Sequence, residues 1–368
     1  MYLRNINNFA LFDPEINFMN TTHYPLNAKN FLRSVLVILM LHQGLVKAQQ
    51  INNGELACVA FYNLENLFDT IDSPDTDDRE FLPEGTNQWN SKKYAVKLKN
   101  MAEVIGQIGD EYITGGPTII GLAEVENRGV LEDLIKTPPL KGRGYGIVHF
   151  DSPDPRGVDV ALLYKYKDFK VLEAQAVPLR MADNPRFRTR DQLVVSGLLY
   201  GDTIHIIVNH WPSRRSGPEF RAAAASLSRK LADSLMTIHR GAKIIIMGDL
   251  NDDPTDPSLT QYLKAKGSKK ELQPGDLFNP MVELFKKGVG SLAYRDAWNL
   301  FDQIIVSEPL VNKKNKGYYL YATRIFSKPF MFTAEGQYAG YPFRTFAGGA
   351  WVGGYSDHLP SFIILRKK

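Results

Sequence analysis

The sequence predicts an α/β protein, and three observations carry that prediction. Short apolar runs of strand length alternate with segments whose apolar residues recur at helical spacing. Several of those runs stop at a carboxylate, amide or imidazole side chain. The composition, 44% apolar and 23% charged, is that of a chain able to bury a core, which excludes the disordered class. A length of 368 residues admits one large domain or two smaller ones.

Residues 29–48 have the three-part layout of a secretory signal. Lys29 and Arg33 make a basic start, Ser34 to Leu41 is apolar, and Ala48 supplies a small residue at the cleavage position. The apolar run is too short for a span of ~20 residues, and no cysteine follows it to carry a lipid anchor. The alternative is an ordinary buried helix. The signal reading places the true start later than residue 1, for instance at Met19, and the mature chain near Gln49. It implies a secreted or periplasmic protein with no stable membrane anchor. The expected division is an N-terminal extension over 1–48 and one catalytic domain over 49–368.

Strands are expected over Leu56–Asn63, Thr118–Leu122, Val158–Tyr164 and Val171–Val177. Leu193–Leu199 and Thr203–Asn209 form a hairpin around Tyr200-Gly201-Asp202. Lys243–Met247, Gln303–Ser307 and Pro360–Leu365 complete the set. Helices are expected over 91–109, where Tyr94, Leu98, Met101, Ile105 and Ile108 share a face and Ser91 is the cap, over Gly129–Lys136, and over Glu219–His239. Asp69–Asn90 reads as a long surface loop, and Gly336–Tyr355 as a Gly- and aromatic-rich loop near the last motif.

A net charge of +4 excludes a polyanion-coating protein, so a nucleic-acid partner would have to meet a local patch. The single cysteine, Cys58, rules out an intramolecular disulfide and a Cys-type zinc site. It sits in the apolar run Leu56–Phe61 and reads as a buried strand residue.

Four segments share one design, an apolar strand followed at once by polar groups. They are Phe61-Tyr62-Asn63-Leu64-Glu65-Asn66, Ile120-Gly121-Leu122-Ala123-Glu124, Met247-Gly248-Asp249-Leu250-Asn251 and Tyr355-Ser356-Asp357-His358. Val208-Asn209-His210-Trp211 is a fifth. Buried strands hold such groups rigidly at a sheet rim. Each has a bland reading alone: Asp249 to Pro254 as a turn, Asp357-His358 as a helix cap, Glu124 as an ion-pair partner.

Together, in this order, the segments resemble the endonuclease/exonuclease/phosphatase superfamily, from about Cys58 to Leu365. Gly-Asp-Leu-Asn and Ser-Asp-His-Leu-Pro are the most specific pieces. The resemblance implies a four-layer α/β/β/α sandwich of two mixed sheets and a metal-dependent phosphodiester hydrolase. It assigns Glu124, Asn63 and Asp357 to the metal, Mg²⁺ or Mn²⁺. Asp249 would orient or deprotonate the attacking water, and Asn251 would bond the phosphate oxygens. His358 would contact the scissile phosphate, held by Asp302, with His210 as a second histidine, a phosphate ligand or proton donor; Asp159 is either its partner or a structural residue beside a strand. Ala123, where many members have Gln, and Gln303, where Arg is frequent, depart from the pattern.

Arg156 and Arg214, the latter in Ser213-Arg214-Arg215, are candidate substrate-binding groups, since Arg suits bidentate phosphate contacts. Trp211 has a stacking and a packing reading. The favoured substrate is nucleic acid, DNA or RNA, acted on by a monomer. A sphingomyelinase-like phospholipid phosphodiesterase is kept open by Tyr338, Tyr341, Phe343, Phe346 and Trp351, because exposed aromatics can seat in a membrane interface. A catalytically inactive binding module is the third reading.

Overall fold

The computed structural model describes residues 54–368. The expected signal over 29–48, the start at Met19 and the boundary near Gln49 lie outside the described residues.

The first sheet contains β1 (Leu56–Leu67), β2 (Ile119–Val125), β3 (Tyr145–His149), β4 (Asp159–Lys165), β14 (Tyr318–Ile325) and β17 (Ser361–Lys367). Its order is β14-β17-β1-β2-β4-β3. The second contains β5 (Phe169–Val177), β6 (Gln192–Leu199), β7 (Asp202–His210), β8 (Ile244–Asp249), β9 (Ala265–Lys266), β10 (Leu277–Phe278) and β13 (Asp302–Ser307). Its order is β5-β6-β7-β8-β13-β10-β9. Two small hairpins stand apart, β11 (Leu292–Tyr294) with β12 (Ala297–Asn299) and β15 (Phe346–Ala347) with β16 (Ala350–Trp351). The α-helices are α1 (Ser91–Ile105), α2 (Arg128–Lys136), α3 (Pro218–Ile238) and α4 (Met281–Lys286).

The period-2 alternation of the strands sets the layering. Ala57, Val59 and Phe61 of β1 meet Val195, Val208, Met247 and Ile304 in a core between the sheets. Cys58, Ala60 and Tyr62 face the other way, onto Met101 and Ile105 of α1 and Leu131 and Leu134 of α2. On the second sheet Ile207, Ile244 and Ile246 face outward onto Ala224, Ala225 and Ala232 of α3. The result is the four-layer α/β/β/α sandwich. Small residues on α3 let that long helix lie close to the sheet. Burial pushes the Cys58 thiol far up, so it is an inert packing group.

Two glycines set the spacing of this core. A Cβ on Gly121 would lie 2.7 Å from Met247 Sδ across the sheets. A Cβ on Gly248 would lie 2.3 Å from the Asn209 carbonyl oxygen on the neighbouring strand.

Several local expectations are corrected. Asn90, not Ser91, caps α1: its side chain accepts from the backbone N–H groups of Lys92 and Lys93. The helix ends at Ile105, not 109. Strands β3 and β14 and the β11–β12 hairpin were not expected. β14 is half-exposed and tyrosine-rich, so it matches neither an alternating nor a fully apolar template. Among the described residues, no helix is long and apolar enough to cross a membrane.

Candidate active site

Parallel pairing aligns β7 with β8 so that His210 stands opposite Asp249. Antiparallel pairing of β13 with β8 brings Asp302 opposite Asp249 on the other side. Three functional candidates thus share one rim position of the second sheet. On the facing rim, β1 pairs with β2 so that Asn63 stands opposite Ala123, next to Glu124. Asp357 and His358 lie just before β17, which pairs with β1. The rims touch where Asn63 Nδ2 donates to Asp249 Oδ2 at 3.1 Å.

Four non-glycine residues at the site adopt left-handed backbone conformations. Glu65, Asn66, Glu124 and Asn251 hold positive φ values of 50°, 59°, 59° and 53°. Such conformations cost non-glycine residues of order 1–3 kcal/mol each and persist where the surroundings over-determine them. Glu124 sits in a bulge. The register of β2 skips it against both neighbours, between Ala123 and Val125. A bulge re-aims a side chain out of the sheet's alternation. Asn66 N–H then donates to Glu124 Oε2 at 3.0 Å. That leaves Oε1 facing Arg156 at 3.5 Å and His210 Nε2 at 3.8 Å.

His358 Nδ1 pairs with Asp302 Oδ2 at 2.7 Å. Its Nε2 points into the cluster, 3.9 Å from both Asp249 Oδ2 and Asp357 Oδ1. Burial opposes the imidazolium, but the Asp302, Asp249 and Asp357 carboxylates outweigh it and hold the pKa well above the usual histidine value. His210 goes the other way. Burial lowers its pKa, and Arg190, Arg156 and His358 lower it further, so its ring is neutral. One histidine therefore carries charge and the other does not. Asp249 is pushed up to about 7, chiefly by burial, with His358 pulling it down and Asp302 pushing it up. Its Oδ1 accepts from Asn251 N–H at 3.1 Å. Asn251 Nδ2 donates to the Trp211 carbonyl at 3.0 Å.

Two expectations are corrected by this geometry. Asp159 is not the partner of His210: its Oδ2 pairs with His149 Nε2 at 2.9 Å, and its Oδ1 accepts from Ser152 N–H at 2.9 Å and from the Ser152 hydroxyl. β3 and β4 are adjacent and antiparallel, which brings His149 to Asp159 and leaves His210 Nδ1 buried without a hydrogen-bond partner. Arg214 does not face the cleft. It donates to Asp253 and Asp256 at 3.1 and 2.9 Å and to the Asn251 carbonyl at 3.2 Å, and lies over the Phe301 ring at 4.4 Å. Three acidic groups on the turn after β8 draw it there. Its neighbour Arg215 lines the cleft instead, with Arg156, Arg188, Arg190, Glu124 and Asp357, around a cavity of about 550 Å³. Trp211 is a packing residue, buried with Nε1 donating to Asn209 Oδ1 at 3.1 Å.

A chain of charges missed in the sequence ties the 343–357 segment to the site. Lys97 of α1 is fully buried and donates to Thr345 Oγ1 at 2.6 Å and the Tyr355 carbonyl at 2.7 Å. Glu65 lies 3.9 Å from it and accepts from Thr345 N–H at 2.6 Å. Arg344 bridges Glu65 at 3.3 Å and Asp357 at 2.9 Å. Burial pushes Glu65 up to about 7 and Lys97 down to about 8. Phe346 and Trp351 are held in a second anchor, around Trp89. Neither ring is free to enter a membrane.

The donor set is all oxygen: the Glu124 and Asp357 carboxylates and the Asn63 amide. That chemistry fits a hard divalent cation such as Mg²⁺ or Mn²⁺. The Asn63 amide nitrogen is engaged with Asp249, and its oxygen accepts from Glu65 N–H at 2.9 Å, so it orients at least as much as it ligates. A second set, His149, Asp151 and Asp159, is the one group of three whose ligand atoms all lie within 4.8 Å among the described residues. The bonds to Asp159 make it a clamp on the 150–158 loop.

A family model described as the Endonuclease/Exonuclease/phosphatase family matches residues 58–367. The chain belongs to the endonuclease/exonuclease/phosphatase family. The family hydrolyses phosphoester bonds and is typically dependent on a divalent metal. A search of curated protein sequences gives no significant match. Similar solved structures include an endonuclease/exonuclease/phosphatase family protein of Bacteroides thetaiotaomicron, at TM-score 0.52 and 16% identity, covering 85% of this chain and 95% of that one. A mannosyl-6-phosphatase of the same organism matches at 0.51 and 15%, covering 84% and 99%. TDP2 of D. rerio, solved with a single-strand DNA product, matches at 0.51 and 13%, covering 85% and 99%. At these identities the likeness is one of fold, and it agrees with the sandwich found in this endonuclease/exonuclease/phosphatase domain.

Proposed function

We propose that this protein is a Mg²⁺- or Mn²⁺-dependent phosphodiesterase acting on nucleic acid, DNA or RNA. The observation that carries the reading is a charged His358, locked by Asp302, whose Nε2 stands beside an Asp249 tuned near neutrality. Asp249 is suited to take a proton from water, because a base works best with a pKa near the working pH. The water oxygen bonds to phosphorus as the P–O bond to the leaving group breaks. His358 Nε2–H faces the phosphate oxygens and stabilises the developing charge through a preorganised, buried donor. Neutral His210 offers Nε2–H as a further donor without a second full charge in the cluster. Asn251 fixes the Asp249 carboxylate through its N–H, and its amide nitrogen anchors the turn on the Trp211 carbonyl. Glu124, Asp357 and Asn63 are the residues that would hold a divalent cation, which would supply Lewis-acid neutralisation of the phosphate charge.

Nucleic acid is favoured over other phosphoesters because Arg156, Arg188 and Arg215 converge on the cleft that Glu124 and Asp357 share, while Arg190 in its wall is held by Asp154 and the Trp211 carbonyl. A secreted or periplasmic monomer, released after a signal over 29–48, agrees with the same reading. The test is purified protein with plasmid DNA, with RNA and with sphingomyelin vesicles, each with Mg²⁺ or Mn²⁺ and with EDTA. Metal-dependent nicking of nucleic acid is expected. Turnover of the vesicles alone would replace this reading with the phospholipid one, and silence on every phosphodiester would leave the binding module.

A further inference from the structure

A second groove, distinct from the arginine-lined cleft, reaches the site at Asp357. It has a volume of about 440 Å³ and runs between the β11–β12 hairpin and the 333–357 segment. Asp357 lines both cavities, so the groove borders the site at that residue. The walls carry three tyrosines. Tyr294 is 61% and Tyr338 41% exposed, so both rings are open to a ligand in the groove. Tyr341 ties the walls together: its hydroxyl accepts from Asp296 N–H at 2.7 Å and donates to Asp296 Oδ1 at 2.6 Å. The width of the groove is therefore preset. Arg295, stacked on Tyr294 at 5.2 Å, and Arg344 add cations at its edges.

We propose that this groove is a base-stacking subsite, which seats the nucleobase on one side of the scissile phosphate. The inference rests on the nucleic-acid reading above and adds to it where the flanking nucleotide lies. Flat aromatic faces beside guanidinium planes are the chemistry that holds an unstacked base. A backbone phosphate on the same strand would meet Arg295 or Arg344. A lipid occupant is disfavoured by the hairpin tip, Tyr294-Arg295-Asp296, which is charged where a membrane-inserting tip would be apolar.

The test is the cleavage pattern of a single-stranded oligothymidylate carrying one abasic residue, with Mg²⁺ or Mn²⁺. Wild-type protein should cut about ten- to a hundredfold more slowly at the phosphate on one side of the abasic residue than at the remaining phosphates. In the Tyr294→Ala/Tyr338→Ala double variant, that local suppression should shrink toward none. Both rings are exposed, and a melting curve matching wild type checks the fold. A wild-type pattern blind to the abasic residue overturns the subsite while leaving the nuclease reading intact. So does a suppression that survives the double substitution. No cutting at any phosphate overturns both readings. Hydrolysis of sphingomyelin vesicles that the double variant loses would reassign the groove to lipid.

Discussion

Asp302→Asn isolates the pair on which the proposed chemistry turns. Asp302 is fully buried, and its Oδ2 takes the hydrogen bond from His358 Nδ1 at 2.7 Å. A hydrogen bond to a charged partner is worth about 1.5–3 kcal/mol net. If that stabilisation is fully felt when charge develops on the phosphate, turnover falls about 10- to 150-fold, at 1.4 kcal/mol per factor of ten. The sign of the pH effect follows from the same contact. Asp302 is the largest of the carboxylate influences holding the His358 pKa up against burial. Without it the pKa drops, so the charged form is lost at a lower pH and the alkaline limb of kcat moves toward acid. The folding cost is up to about 3–5 kcal/mol for breaking a buried pair, reduced because Asp249 and Asp357 lie 3.9 Å from the other His358 nitrogen. Asp302 Oδ1 has no hydrogen-bond partner, so an amide nitrogen there adds at most an unsatisfied donor, about 1–3 kcal/mol. The assay is kcat against pH from 6 to 9 on a cleavable oligonucleotide, well below the melting temperature. A variant within about twofold of wild type, or one whose alkaline limb does not move, would refute the role given to this pair.

Four further outcomes are expected. Chelation by EDTA should abolish turnover, and added Mg²⁺ should raise the melting temperature, by about 2.7 kcal/mol of stability at 100 times the dissociation constant; Glu124→Gln should blunt that rise in calorimetry. Gly248→Ala should destabilise the fold by at least about 1–3 kcal/mol in denaturant titration, because its Cβ meets a strand carbonyl that cannot swing aside. Lys97→Met should cost up to about 3–5 kcal/mol, the range for breaking a buried pair, reduced because Glu65 keeps Arg344 and Thr345 N–H. His205, buried with Nδ1 on the Ser196 hydroxyl and its ring stacked on His239, has its pKa lowered by burial and then by His239. The unfolded chain thus binds the proton more readily, and stability should decline as pH falls below about 6.5; melts at pH 7.5 and 5.5 should show this slope in wild type and a shallower one in His205→Gln, where His210 still contributes with the same sign.

The layering and most strands were legible because their signal is local. An apolar run that ends on Asp, Asn, Glu or His states both the strand and the polar group at its rim. Asn63, Glu124, His210 and Asp249 follow that rule, Asp302 instead opens its strand, and the structure draws all five to one place. What was not legible depends on distance along the chain. Lys97 lies in a helix with Lys92, Lys93 and Lys99, where a lysine reads as solvent-facing; its acceptor Thr345 is 248 residues away. Arg344 and Glu65 are 279 apart. Arg214 and Arg215 are adjacent and chemically alike, and only the acidic turn after β8 decides which one is pulled from the cleft. The partner of Asp159 was misread for the same reason, since β3 was not seen and with it His149.

The Gly-Asp-Leu-Asn segment shows how tightly packing and chemistry are joined here. Gly248 is required because the neighbouring strand's carbonyl stands 2.3 Å from where a Cβ would be. That close approach keeps β7 and β8 in the register that sets His210 against Asp249. Leu250 is fully buried in the core beneath α3, which pins the chain as it leaves the strand. The chain can then reverse only by taking a left-handed residue, and Asn251 tolerates φ of 53° better than most side chains. The reversal in turn points Asn251 N–H back at Asp249 Oδ1. Glycine at the last position would relieve the backbone but remove the amide bonded to the Trp211 carbonyl. Gly248, Leu250 and Asn251 therefore each have a separate physical cause, and the three together position the Asp249 carboxylate.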